Sequence, residues 1–163
     1  MLHAVVKHHG LKVLDMRTTD LASMEPGLLA SVAIRMQDLR IGYTKVTRCQ
    51  AEIMLISIND DSQLKTLDMR CHERSLVEPG LLTRAVNRLE DVQMWGTPLT
   101  REQIEAILTQ SLVKTSLRRL WIINGDVAAV DGGLLLRARS VIRNLDVSAG
   151  PGLALGGLSL VWL

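Results

Sequence analysis

Aliphatic residues along the chain recur in one spacing, LxxLxL with L standing for any aliphatic. It appears at Leu11/Leu14/Met16, Met36/Leu39/Ile41, Leu64/Leu67/Met69, Leu89/Val92/Met94, Leu117/Leu120/Ile122 and Ile142/Leu145/Val147. The closing pair of each set brackets one residue, polar in five of the six, which predicts a short strand with one buried face. Steps between the sets alternate 25 and 28 residues, too long for a hairpin and long enough for a helix. Helix signals sit in those gaps. Leu29, Val32 and Met36, with counterparts Leu82, Ala85 and Leu89, have the spacing of one buried helical face. Pro26 and Pro79 fall in a first helical turn, where a missing N–H removes no intrahelical bond. Thr47 with Gln50, and Thr100 with Gln103, have the spacing at which hydroxyl and amide satisfy each other's backbone donors.

The pattern is also a literal repetition. "LDMRTTDLASMEPGLL" from Leu14 and "LDMRCHERSLVEPGLL" from Leu67 share nine of sixteen letters at an offset of 53 residues. A more diverged third copy, "LWIINGDVAAVDGGLL", starts at Leu120, and "MQDLRIGYTKVTRCQAEI" from Met36 answers to "LEDVQMWGTPLTREQIEA" from Leu89 at the same offset.

These residues resemble the leucine-rich repeat family, whose unit opens with a short strand of this pattern and closes with a helix. The alternating unit length is similar to the ribonuclease-inhibitor type found in cytosolic animal proteins, including the sensor halves of nucleotide-binding immune receptors. The resemblance covers residues 11 to about 150. It implies an α/β solenoid, a horseshoe arc with a parallel β-sheet on the concave face and helices on the convex face. The whole chain, 1–163, then forms a single domain of about six units starting near 11, 36, 64, 89, 117 and 142, with a partial repeat at each end. The family's turn asparagine is replaced by Thr19, Thr44, His72, Thr97, Gly125 and Gly150. The aliphatic two residues later is Leu21, Val46, Leu99 and Val127, with Arg74 and Gly152 departing; Leu76 or Val77 stands in for Arg74.

Parallel strands stacked in register align their outward side chains in columns. One column reads Asp15, Arg40, Asp68, Gln93, Trp121, Asp146, and the next reads Arg17, Gly42, Arg70, Trp95, Ile123, Ser148. The chain has no Phe, one Tyr and three Trp. Two of those four aromatics are outward, and Tyr43 lies one residue past the second column. Arginine and large aromatics on one face are the residue types enriched at binding hot spots. The candidate partner-binding residues are therefore Arg40, Tyr43, Asp68, Arg70, Gln93, Trp95, Arg119 and Trp121. Register predicts Arg70 over the indole of Trp95, with Asp68, Gln93 and Arg119 as a polar rim. The blander reading has the two indoles merely shielding each other.

Charge changes little. A net charge of +2 with interspersed signs supplies no basic stripe, so nucleic acid is not the expected partner. Cys49 and Cys71 occupy unlike positions of different units and are expected to stay reduced, which suits the cytoplasm. "MLHAVVKHHG" lacks the apolar run and cleavage site of a signal peptide, and "GLALGGLSLVWL" is too short to span a bilayer, so no membrane association is expected. "CHER" at 71–74 places Cys, His and Glu side by side, but adjacent residues in an extended turn diverge and no metal or cofactor is expected. Phosphate-loop, nucleophile-elbow and zinc-protease motifs are missing, which argues against an enzyme.

Both ends fall within a repeat without a polar cap. That predicts a fragment of a longer cytosolic protein, prone to end-to-end self-association, unless Gly152 to Leu163 folds back as an improvised cap. The function expected is recognition of another protein on the concave sheet. The alternative is a structural or engineered repeat scaffold with no specific ligand.

Overall fold

A computed structural model describes residues 10–69, 77–96, 98–113, 116–123 and 126–148. Within them the chain alternates strand and helix: β1 (Val13–Asp15), α1 (Pro26–Arg35), β2 (Asp38–Ile41), α2 (Arg48–Ser57), β3 (Thr66–Met69), α3 (Pro79–Val86), β4 (Asp91–Trp95), α4 (Arg101–Val113), β5 (Arg119–Ile123), α5 (Gly132–Val141) and β6 (Asn144–Ser148). The six strands form one parallel sheet in chain order. This is the α/β arrangement that the LxxLxL spacing predicts, with each helix serving as the crossover between neighbouring parallel strands.

Register follows the repeat. Leu39 pairs with Leu14 on one side and Leu67 on the other, and Leu67, Val92, Leu120 and Leu145 continue the row. Leu39, Ile41, Met69, Val92, Met94, Leu120 and Ile122 are buried, as are Leu29, Val32, Leu82, Ala85, Ile104, Ile107 and Leu108 from the helices. Together they make one continuous core. Of the post-turn aliphatics, Leu21, Val46 and Leu99 are buried and Val127 packs against the core, while Val77 is buried where the third unit departs from the pattern. Leu11, predicted inward, is instead 36% exposed. A unit buries its apolar face against the units on either side, and among the described residues Leu11 has a neighbour on one side alone.

Two local devices lock one unit to the next. Both expected capping boxes form: Thr47 N–H donates to Gln50 Oε1 at 2.9 Å and Gln50 N–H to Thr47 Oγ1 at 3.3 Å, and Thr100 and Gln103 repeat both distances. Each glutamine then reaches back one unit. Gln50 Nε2 donates to the carbonyls of Leu21 (2.6 Å) and Met24 (2.7 Å), and Gln103 Nε2 to that of Val77 (2.6 Å). Gln50 and Gln103 are 1% and 2% exposed, so these amides work inside the core. At the strand heads, two consecutive N–H groups share one carbonyl of the preceding unit. Lys65 and Thr66 donate to Gln37, Glu90 and Asp91 to Lys65, and Arg118 and Arg119 to Glu90.

In the three post-strand turns described, a left-handed residue recurs at one fixed position, two past the last inward aliphatic. Thr18 (φ 68°), Tyr43 (φ 63°) and Gly96 (φ 65°) occupy it, so the backbone rather than the residue type recurs there. Of the predicted turn threonines, Thr44 is buried and its hydroxyl donates to the Ile41 carbonyl at 2.6 Å. His72, Thr97, Gly125 and Gly150, together with Cys71, the "CHER" segment and the tail from Gly152, lie outside the described residues.

Candidate functional site on the open face of the sheet

The outward columns fall in the predicted register. Asp15, Arg40, Asp68, Gln93, Trp121 and Asp146 align across the sheet, and Trp95 aligns with Ile123 and Ser148. A further column lies ahead of them at the strand heads: Val13, Asp38, Thr66, Asp91, Arg119 and Asn144.

Strand alternation puts residues i and i+2 on the same face, and charged side chains use that spacing. Arg17 forks onto Asp15 (Nη2 to Oδ2, 2.6 Å), and Arg40 onto Asp38 (2.7 Å). Both pairs were readable as Asp-x-Arg in "LDMR" and "QDLR", with each strand's alternation applied to its charges; Asp38 and Asp91 are the residues the outward-column reading omitted. Hydrogen bonding from Arg17 holds the Asp15 carboxyl below the usual carboxylate range.

Trp121 is half-buried on β5, and the Arg119 guanidinium carbon lies 5.8 Å from its ring centroid. That is cation–π distance. This arginine–indole contact lies within one strand, β5, and is separate from the stacking expected between Arg70 and Trp95. Arg70 and the Trp95 side chain lie outside the described residues. Arg119 also pairs with Asp91 at 3.0 Å. Tyr43 stands at the C-terminal end of β2, 50% exposed, and Gln93 is half-buried between Asp68 and Trp121.

Asp68 is the correction. Expected on the polar rim of an exposed patch, it is 8% exposed, and its Oδ1 has no hydrogen-bond partner. The reason lies in the turn just past the neighbouring strand β2. Gly42 has no side chain, so the Asp68 carboxylate settles against its backbone, and a Cβ at position 42 would lie 2.5 Å from Oδ1. Burial pushes the Asp68 pKa up, opposed by the Arg17 and Arg40 guanidiniums, which are already committed to Asp15 and Asp38. Burial likewise raises Asp91, with Arg119 pulling the other way.

Ahead of the sheet's leading ends an open groove of about 530 Å³ runs across β3 to β6. Lys65, Arg118, Arg119 and Arg143 line it, with Glu90 and Asp91 between them. Glu90 receives Lys65 at 3.0 Å and, more loosely, Arg118 at 3.8 Å. The Lys65 ammonium holds the Glu90 carboxyl below its ordinary pKa.

A comparison with protein-family models finds no match, and one with curated proteins finds none either. Among the described residues no helix is long and apolar enough to cross a membrane.

Proposed function

We propose that this chain is a leucine-rich repeat module of the ribonuclease-inhibitor-like type that binds another protein on the outward, concave face of its sheet. The observation that carries the reading is Trp121. In a chain with three Trp and no Phe, an indole at a sheet position facing away from the core, stacked by Arg119 and flanked by Gln93, is where a partner's apolar side chain gains contact area. Arg40 and Tyr43 extend the same surface towards β2. The repetition itself supports the family: identical strand positions, recurrent capping boxes and a left-handed turn at one fixed place are what a stack of equivalent units requires. The cytoplasm suits an exposed, free Cys49 thiol.

The test is site-specific photocrosslinking in cells, with the reactive group at Gln93 on the sheet or at Leu136 on the far side of α5, 72% exposed. One partner crosslinked from position 93 and not from 136 supports the reading. With that partner purified, Trp121→Ala and Trp95→Ala are each expected to weaken binding by more than about 1 kcal/mol while leaving the melting temperature nearly unchanged. Crosslinking from 136 alone, or none from 93, favours a scaffold without a ligand on this face.

A further inference from the structure

The groove across the leading ends of β3 to β6 has a chemistry of its own. Its lining comes in pairs, each the residue before a strand and the strand's first residue: Lys65 and Thr66, Glu90 and Asp91, Arg118 and Arg119, Arg143 and Asn144. Four cations thus face two carboxylates. Asp91 is taken by Arg119 at 3.0 Å, and Glu90 by Lys65 at 3.0 Å. Arg118 reaches Glu90 only at 3.8 Å and keeps 76% of its side chain exposed. Arg143 is exposed and has no ion-pair partner among the described residues. The surplus therefore sits at one end, on two adjacent strands, beside Arg119 and Trp121.

We infer that this groove receives an acidic peptide segment of the partner, whose carboxylates pair with Arg118 and Arg143. The inference rests on the concave-face reading and names the chemistry of the partner at its margin. Strand spacing makes the run from β3 to β6 about 14 Å, which four or five extended residues cover. A nucleic-acid strand fits less well. Its phosphates are evenly charged and would meet Glu90 and Asp91 on the groove floor, whereas a peptide can place its carboxylates over the arginines and neutral residues elsewhere. Bases also want a row of aromatic platforms, and among the described residues the groove lining itself holds none.

The experiment titrates the isotopically labelled full chain with hexaglutamate at low ionic strength and follows backbone amide shifts. Shifts centred on residues 118, 119, 143 and 144 are expected. Arg118→Gln with Arg143→Gln should weaken binding about fivefold or more, the size that two exposed ion pairs supply. Arg137→Gln with Arg139→Gln on α5 removes the same charge elsewhere and should change binding less than twofold. A hexathymidylate strand run in parallel should bind more weakly than hexaglutamate. Equal or tighter binding of the strand overturns the peptide assignment, and so does equal sensitivity to the two arginine pairs or the lack of any shift. If a crosslinked partner depends on Trp121 but is indifferent to the Arg118 and Arg143 pair, the groove inference fails while the concave-face reading stands.

Discussion

Gln50 offers the most exacting test of how the units are joined. Replacing it with Met keeps the volume and the helix propensity while removing three hydrogen bonds: Nε2 to the Leu21 and Met24 carbonyls at 2.6 and 2.7 Å, and Thr47 N–H to Oε1 at 2.9 Å. A typical buried hydrogen bond contributes about 1 kcal/mol net, and a carbonyl left buried without a donor adds to the loss. Gln50→Met should therefore cost about 3–5 kcal/mol. For a chain of this size, 3 kcal/mol corresponds to a fall of about 6–12 °C in melting temperature. Thr47→Ala, which removes the hydroxyl cap at 3.3 Å but leaves the amide in place, should cost about 1 kcal/mol. Gln50→Glu separates packing from hydrogen bonding. It would face a carboxylate towards two carbonyl oxygens, so it should be worse than Met at neutral pH and recover as acid protonates it. Urea unfolding of the four proteins reads all of this. A Gln50→Met protein within about 0.5 kcal/mol of the parent would mean that the amide does not join the units.

Three further outcomes follow from the same geometry. Leu67→Ala and Leu120→Ala, 2% and 0% exposed, should each cost about 2–5 kcal/mol in chemical denaturation, and a loss below about 0.5 would place those side chains outside the core. Asp68 has a raised folded pKa, so its charged form opposes folding at neutral pH and the penalty is relieved as pH falls towards the ordinary carboxylate value. Asp15 and Glu90, lowered by their partners, run the other way and lose stabilisation on acidification. Because Asp68→Asn alters the first contribution alone, its stability advantage over the parent should shrink between neutrality and about pH 4; a constant difference would refute the assignment. Gly42→Ala should cost about 1–3 kcal/mol by driving a Cβ against the Asp68 carboxylate, and an Asp68→Ala background should remove most of that cost; an unchanged cost there would point to a different clash.

What could be read from the chain beforehand was whatever depends on spacing along it. Leu39 and Leu67 declare their burial through alternation, Thr47 and Gln50 declare a cap through a three-residue spacing, and the outward columns then follow from the strand register. Interactions that depend on two distant segments were not readable. The second role of Gln50, with partners 26 and 29 residues away, has no local signature. Nor does the burial of Asp68, which depends on Gly42 just past the end of the adjacent strand. The pairing of Arg40 with Asp38 is an intermediate case: it is local, but it shows only when alternation is applied to charges as well as to aliphatics.

Among the described residues every strand of the sheet bonds solely to the strands just before and after it in the chain, and the inward aliphatics return every 53 positions. An arrangement of that sort has no preferred length. If a recombination event excised residues 38–90, β1 would meet β4 with Val13 against Asp91 where Asp38 had been, and Leu14 against Val92 where Leu39 had been. No ladder would lose its partner and no inward row would be broken. Inheritance can therefore edit such a chain in whole double units, adding or dropping a segment of the open face at a stroke, and the nine letters of sixteen shared by "LDMRTTDLASMEPGLL" and "LDMRCHERSLVEPGLL" are what one such duplication would leave.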